Sequence, residues 1–332
     1  MKNKKKFTAL VTGGAGFIGS HLTELLVEKN FKVTVLDDLS NSKKSNILKL
    51  IKDNKIKFIN NNITNKKINS KIFNVNFIFH LAAIGSIVPS IDQPVKYIEN
   101  NFNGTINILE KIKKYKIKKF IYAASSSCYG LNYGLASEKS NISTQYPYAF
   151  SKWIAEEAIK HWSKIYNIPY VSIRIFNAYG PRFQTRGAYG SVIGVFLRQK
   201  YSDKPLTVVG NGKQSRDYVH VKDVANAFYL SAIKKQKNIV YNLGCGKSVS
   251  VNSIVKIINP KKIVKIPNRP GEPFKILANN IKIKKILGWK PRVSFNDGLK
   301  GLLSNLKEWK DAPLWDKKSI KIATKNWFKH LK

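Results

Sequence analysis

The sequence predicts an α/β protein: a doubly wound parallel sheet followed by a smaller C-terminal α/β part. Three observations carry this reading. Short, almost continuously apolar runs recur through the first 175 residues, as strands covered on both faces require. Helical stretches separate these runs, which is the alternation of a βαβ architecture. The first run ends in a glycine-rich turn that opens onto an amphipathic stretch.

In chain order, FTALVT (7–12) is the first expected strand, and FIGSHLTELLVEK after it is the first helix. KVTVLD (32–37), KIKFIN (55–60), NFIFHLAA (76–83), KKFIYAA (118–124) and YVSIRIF (170–176) follow as strands. The clearest helices are expected at 94–115 and 148–166. Beyond about residue 177 the rhythm loosens, and YGPR, GNGKQ, NRPGEP and GWKPR place turns between shorter elements. Residues 1–176 therefore form the expected sheet part and 177–332 a second part, with some segments of the second returning to the first. Ligands of such sheets bind at the carboxyl ends of the strands.

Composition removes several function classes. A hydrophobic content of 43% is that of a globular chain and not of a disordered one. No apolar run approaches the roughly 18 residues of a membrane span. The start, MKNKKKFTALVTGG, is basic and then apolar like a secretory leader, but its apolar run is too short for one. The two cysteines, Cys128 and Cys245, have no metal-ligand spacing around them. A reducing, cytoplasmic setting without a disulfide framework or a metal is expected. The net charge of +40 comes from lysines spread along the whole chain, with no basic tail and no aromatic–basic stripe. A solvated basic surface is the expectation, not a nucleic-acid interface; an anionic substrate would still benefit from the field.

VTGGAGFIGSHL sets Gly13, Gly14, Gly16 and Gly19 between a strand and a helix, satisfying both G-x-G-x-x-G and G-x-x-G-x-x-G. Glycine permits the tight turn and the close approach of a pyrophosphate, whose charge the helix start stabilises. Asp37 follows 18 residues after the last glycine, at the end of the second strand. Its carboxylate can accept from a ribose 2′-hydroxyl and repels a 2′-phosphate, so a Rossmann-like site for NAD is expected rather than one for NADP. Downstream, PYAFSKWIAEEAIKHW puts Tyr148 and Lys152 four apart on one helix face. Tyrosine is a poor base at neutral pH, and a nearby ammonium together with a cationic nicotinamide ring would lower its pKa. Between the two motifs, AASSSCYG (123–130) ends a strand in three serines.

With TGGAGFIG, LDDLSNS (36–42), FHLAA (79–83), NFNGT (101–105), SSSCYG, YAFSK, FNAYGPR (176–182), RDYVHVKDVA (216–225), RPGEP (269–273) and LGWKP (287–291), the chain resembles the extended short-chain dehydrogenases/reductases. Within them it is similar to the NAD-dependent nucleotide-sugar epimerase/dehydratase family, nearly end to end. The resemblance implies a cofactor set of Gly13, Gly16, Phe17, Ile18, Gly19, Asp37, Asn41, Ser42, Asn62, Ile63, Leu81, Ala82, Ala83 and Asn101, with Tyr148 and Lys152. It implies catalysis by Ser125, Tyr148 and Lys152, Ser125 having the family's offset of four residues before Tyr129. Ser125, Ser126, Tyr148, Asn177, Arg216, Arg269 and Glu272 are the implied substrate contacts, for a sugar carried on a nucleoside diphosphate, expected to be UDP. It also implies a homodimer through the helices at about 94–115 and 148–166.

The family's 4,6-dehydratases have an Asp–Glu pair where this chain has Ser126 and Ser127, and its decarboxylases a glutamate that is missing here. The pattern is closest to UDP-galactose and UDP-N-acetylglucosamine 4-epimerases. Another enzyme of the family (a dehydratase, a reductase, an epimerase at a different carbon) is the alternative, and a non-catalytic NAD- or RNA-binding homologue a distant one. The chain departs from the pattern at Asn62, where the family usually has an aspartate, and at Gly85, where some members have a lysine. Ile276 aligns with a position that gates room for an N-acetyl group, and 184–196 is an insertion in the substrate region.

Overall fold

The structure is a computed structural model. It describes residues 6–131, 134–183, 191–268, 273–314, 316, 319–320, 322 and 325–330. The chain begins with β1 (Thr8–Thr12), α1 (Phe17–Glu28) and β2 (Lys32–Asp37), then α2 (Leu48–Lys52), β3 (Ile56–Asn60) and β4 (Phe77–His80). Two short helices, α3 (Val88–Asp92) and α4 (Pro94–Tyr97), lead into a π-helical turn, Ile98–Asn103, and then α5 (Gly104–Ile112). Next come β5 (Lys119–Ser125), the short β6 (Leu135–Ala136), α6 (Pro147–Tyr166) and β7 (Tyr170–Ile175).

The second part contributes β8 (Asn177–Tyr179), α7 (Val192–Tyr201), β9 (Leu206–Val209), β10 (Ser215–His220), α8 (Val221–Ile233) and β11 (Ile239–Leu243). It continues through β12 (Ser248–Ser250), α9 (Val251–Ile258), β13 (Ile263–Ile266), β14 (Leu277–Ala278), α10 (Ile281–Leu287) and α11 (Phe295–Leu303). A C-terminal helix, Lys325–His330, is the last described element.

The main sheet has seven strands in the order β11-β7-β5-β4-β1-β2-β3, every neighbouring pair parallel. The order reverses between β1 and β4, the place where such a sheet opens a crevice at its carboxyl edge. That edge carries Thr12, Asp37, His80 and Ser125. β11 lies beyond residue 176 yet belongs to this sheet, so sequence order and spatial grouping separate there.

Alternation along the strands feeds two cores. Ala9 and Val11 pack on one face with Leu22, Phe228 and Trp289, while Leu10 packs on the other with Ile108, Phe120 and Ile159. A third core under the second part gathers Phe196, Leu206, Ile254, Leu299 and Trp309. The one charged residue in the buried body of β5, Lys119, answers a need at the end of α8. Its Nζ donates to Ser231 O and Lys234 O, both at 2.6 Å, satisfying carbonyls that a helix terminus leaves unpaired.

The helix expected at 94–115 is divided. The turn Ile98–Asn103 is wound as π-helix, an extra-residue turn common at functional sites, and it places Asn101 in the interior. α6 matches its expectation more closely, with Pro147 at its first position and Asn167 closing it in a left-handed conformation (φ 52°). Among the described residues no helix is long and apolar enough to cross a membrane.

Candidate active site

A cavity of about 1170 Å³ lies along the carboxyl edge of the sheet. At one end the glycine turn is packed backbone to backbone. Gly13 has φ +71°, and a Cβ there would stand 2.7 Å from Ala82 N. A Cβ on Gly19 would strike Gly13 O at 2.0 Å, so the first turn of α1 lies directly on the loop. Gly16 caps α1 without a side chain, which leaves the helix start to a ligand, and a Cβ on it would meet only Gly13 O. Asp37 is buried; its Oδ2 accepts from Ala15 N at 2.9 Å and its Oδ1 from Leu39 N and Ser42 Oγ at 2.9 and 2.7 Å. An anion-binding helix start and a fixed carboxylate at the end of β2 fit a dinucleotide with a free ribose 2′-hydroxyl.

Gly13, Gly16, Phe17, Ile18, Gly19, Asp37, Asn41, Ser42, Ile63, Leu81, Ala82 and Ala83 line this end. Asn62 and Asn101 do not. Asn62 Nδ2 donates to Asp38 Oδ2 at 2.6 Å, so it steadies a carboxylate that does line the cavity. The Asn101 side chain spans Ile84, accepting from its N at 2.8 Å and donating to its O at 3.1 Å, and reaches Ser151 Oγ at 3.0 Å. Both support the wall from behind.

At the centre, Ser125, Ser126, Ser127, Tyr148 and Lys152 share the cavity surface. Ser125 is the last residue of β5; its Oγ lies 2.6 Å from Ser127 Oγ and accepts from Ser127 N at 3.2 Å. Lys152 Nζ sits 4.2 Å from the centroid of the Tyr122 ring. Burial lowers the Lys152 pKa to about 7, with Glu156 one turn further along α6 pulling it back up. Within the protein the Tyr148 pKa answers to two opposing influences. Burial pushes it up, and hydrogen bonding with Ser125 opposes this only in part. Cys128 is not on the cavity surface, and burial raises its thiol to about 12.

Behind the serines, Glu156 accepts from Arg174 at 2.6 Å (Nη2) and 3.1 Å (Nε) and from Ser172 Oγ at 2.8 Å. Arg174 Nη1 donates to Tyr129 OH, which donates to Asn242 Oδ1 at 2.6 Å. Tyr129 thus belongs to the buried frame under the site. Among the described residues no cluster of His, Cys, Asp and Glu could hold a metal.

At the far end, Asn177 and Arg216 line the cavity. Asn177 Nδ2 donates to Asp217 O at 3.3 Å, and Arg216 Nη1 to Ser215 O and Pro273 O at 3.0 and 2.7 Å. Arg269 and Glu272 lie outside the described residues, as does Arg186. Arg182 is held to α1, donating to Glu24 Oε1 at 2.6 Å. His220 caps α8, its Nδ1 accepting from Lys222 N, and does not line the cavity. Ser86, Ile87 and Val88 after β4, and Lys307, Trp309, Lys310, Asp311 and Ile320 near the C-terminus, also line the wall. No motif announces these residues, which reach the site by tertiary packing alone.

The chain matches the family model described as GDP-mannose 4,6 dehydratase over residues 10–302. The UDP-glucose 4-epimerase of Thermotoga maritima, solved with UDP-glucose, is 32% identical, with a TM-score of 0.83 and coverage of 91% of this chain and 99% of that one. The UDP-N-acetylglucosamine 4-epimerase of Methanobrevibacter ruminantium, in complex with UDP-N-acetylmuramic acid, is 31% identical (TM-score 0.85, coverage 92% and 99%). The UDP-glucuronic acid 4-epimerase of Bacillus cereus, in complex with UDP-glucuronic acid and NAD, is also 31% identical (TM-score 0.83, coverage 91% and 99%). The glycine turn, the Asp37 carboxylate, the Ser125–Tyr148–Lys152 group and this whole-length likeness agree, and the chain belongs to the NAD-dependent nucleotide-sugar epimerase/dehydratase family of extended short-chain dehydrogenases/reductases.

Proposed function

We propose that the protein is an NAD-dependent 4-epimerase of UDP-hexoses, acting on a pair such as UDP-glucose/UDP-galactose or on UDP-N-acetylglucosamine. The end of β5 carries this reading. Ser125 stands beside Tyr148, while Ser126 and Ser127 put hydroxyls on the cavity surface where a dehydration would need a carboxylic acid and its base.

Gly13, Gly16, Phe17, Ile18 and Gly19 hold the cofactor pyrophosphate and Asp37 the adenosine ribose. NAD, when bound, supplies the hydride acceptor and a positive charge that favours the Tyr148 phenolate. Tyr148 removes the O4 proton of the sugar and later returns it. Ser125 donates a hydrogen bond to the same oxygen. Lys152 stabilises the phenolate electrostatically and holds the nicotinamide ribose. The 4-keto sugar turns over in the cavity, so hydride comes back to C4 on the opposite face. Asn177 and Arg216, joined by Arg269, hold the diphosphate, and Glu272 the nucleotide ribose.

Residues 1–176 form the cofactor part of this enzyme and 177–332 mainly the substrate part. A homodimer through α4–α5 and α6 is supported by the exposed Val95, Phe150, Ile165 and Tyr166 on those helices and their ends. The two free cysteines suit a cytoplasmic setting.

The test is incubation of the purified protein with UDP-glucose, UDP-N-acetylglucosamine, UDP-glucuronate and GDP- and dTDP-sugars, with products identified by NMR. A C4 epimer is expected from a UDP-sugar, and the Tyr148→Phe protein should lose about 10² to 10⁴ in kcat while keeping its NAD. A 4-keto-6-deoxy product would remove the epimerase reading.

A further inference from the structure

His80 and Thr105 lie behind the cavity wall, fully buried, and the reaction described above gives them no role. Their hydrogen bonds can be read as a directed chain. Thr105 Oγ donates its one proton to Asn101 O at 2.6 Å, so toward His80 Nε2, 2.9 Å away, it can only accept. Nε2 therefore carries the ring proton. Burial, with Lys152 nearby, lowers the His80 pKa to about 3, so the ring is neutral and Nδ1 is bare. Nδ1 accepts from Thr12 Oγ at 2.7 Å, and the Thr12 hydroxyl, its proton committed, accepts from Ala82 N at 3.3 Å. Each proton has one place, and the tautomer is fixed.

We propose that His80 is a positioning residue, a tautomer-locked tie that holds the cofactor loop 81–84 and the catalytic helix in register. One arm runs through Thr12 to Ala82 at the start of the loop. The other runs through Thr105 to Asn101, which clamps both backbone groups of Ile84 and donates to Ser151 Oγ. Ser151 Oγ in turn donates to Tyr148 O at 2.8 Å, on the residue that bears the base. The imidazole face adds a third contact. It stacks on Tyr122 with centroids 5.8 Å apart and planes at 24°, and Tyr122 is the ring against which the Lys152 ammonium rests.

A side chain at position 80 must accept at one edge, donate at the other and present an apolar face between. Neutral imidazole does all three, whereas a protonated ring would lose the acceptor and repel Lys152. The π-helical turn belongs to the same device, since it delivers the Asn101 carbonyl to Thr105 and its amide to Ile84.

The inference rests on the proposed function for its effect on turnover, but not for its effect on cofactor retention, and the experiment separates the two. NAD release from the holoprotein is timed without any sugar, and kcat and KM are measured in parallel. Thr105→Val keeps the side-chain shape and removes the hydroxyl; Thr105→Ser keeps the hydroxyl. Thr105→Val should speed NAD release about tenfold and lower kcat about tenfold at unchanged KM, the order of the cost of leaving the buried His80 Nε2–H without its acceptor, and Thr105→Ser should restore both. Equal NAD release in Thr105→Val and the unsubstituted protein, or equal impairment in the Val and Ser variants, would overturn the inference. His80→Leu should show the same pattern more strongly; should it fail to fold, the threonine pair decides. If no sugar turns over but NAD release quickens in Thr105→Val and not in Thr105→Ser, the functional reading falls and the tie stands.

Discussion

The two ends of the cavity are built by different means. The cofactor end is built largely on closely packed backbone: the glycine turn lies against the loop after β4, against β2 and against the first turn of α1, with the Asp37 carboxylate fixed beside it. The far end is made of side chains from many separate elements, including Asn177, Arg216, Ile276, Trp309 and Ile320. A backbone-built site tolerates little and fixes one ligand geometry. A side-chain-built site can change its ligand by changing a residue. This difference explains how one fold can keep a single cofactor while neighbours of similar likeness carry glucose, N-acetylglucosamine or glucuronic acid in their names.

The largest effect that would test this contrast is at Gly13. Its positive φ and the 2.7 Å approach of Ala82 N leave no place for a methyl group. Gly13→Ala should lower stability by about 1–3 kcal/mol through backbone strain, and by more if the loop cannot yield, together with loss of bound NAD. Thermal unfolding and cofactor content after gel filtration measure both, and retained NAD at unchanged Tm would break the comparison. A smaller effect is expected at the far end. Ile276 is half-buried on the cavity wall, and Ile276→Ala should shift kcat/KM toward the N-acetylated sugar by about tenfold with NAD release unchanged. A change in NAD release would show that the two ends are not independent.

The same division decides how much of the molecule was legible in the sequence. Six of the seven sheet strands and the glycine turn follow from period, spacing and local chemistry, whereas β11, from the looser second part of the chain, carries no such signal. Tyr148 and Lys152 were legible because helix geometry fixes residues four apart. Other features depend on partners distant in sequence. Nothing in NFNGT announces a π-helical turn, and nothing in FHLAA says that its histidine is held between Thr12 and Thr105. The upward push of burial on the Tyr148 pKa has no signal in the sequence, because burial is a property of the folded chain. Asn62 and Asn101 stand one step behind the positions their motifs implied, since their amides are engaged by Asp38 and by Ile84 and Ser151.

In the proposed 4-epimerase reaction the hydride taken from C4 of the nucleotide sugar by bound NAD returns to the same carbon, with Tyr148 handling only the O4 proton. The most direct measurement uses the turned-over UDP-sugar deuterated at C4 and followed by NMR in ordinary water. Deuterium is expected at C4 in both epimers with no loss to solvent. Protium at C4 of the product, or a 4-keto-6-deoxy sugar, would contradict it.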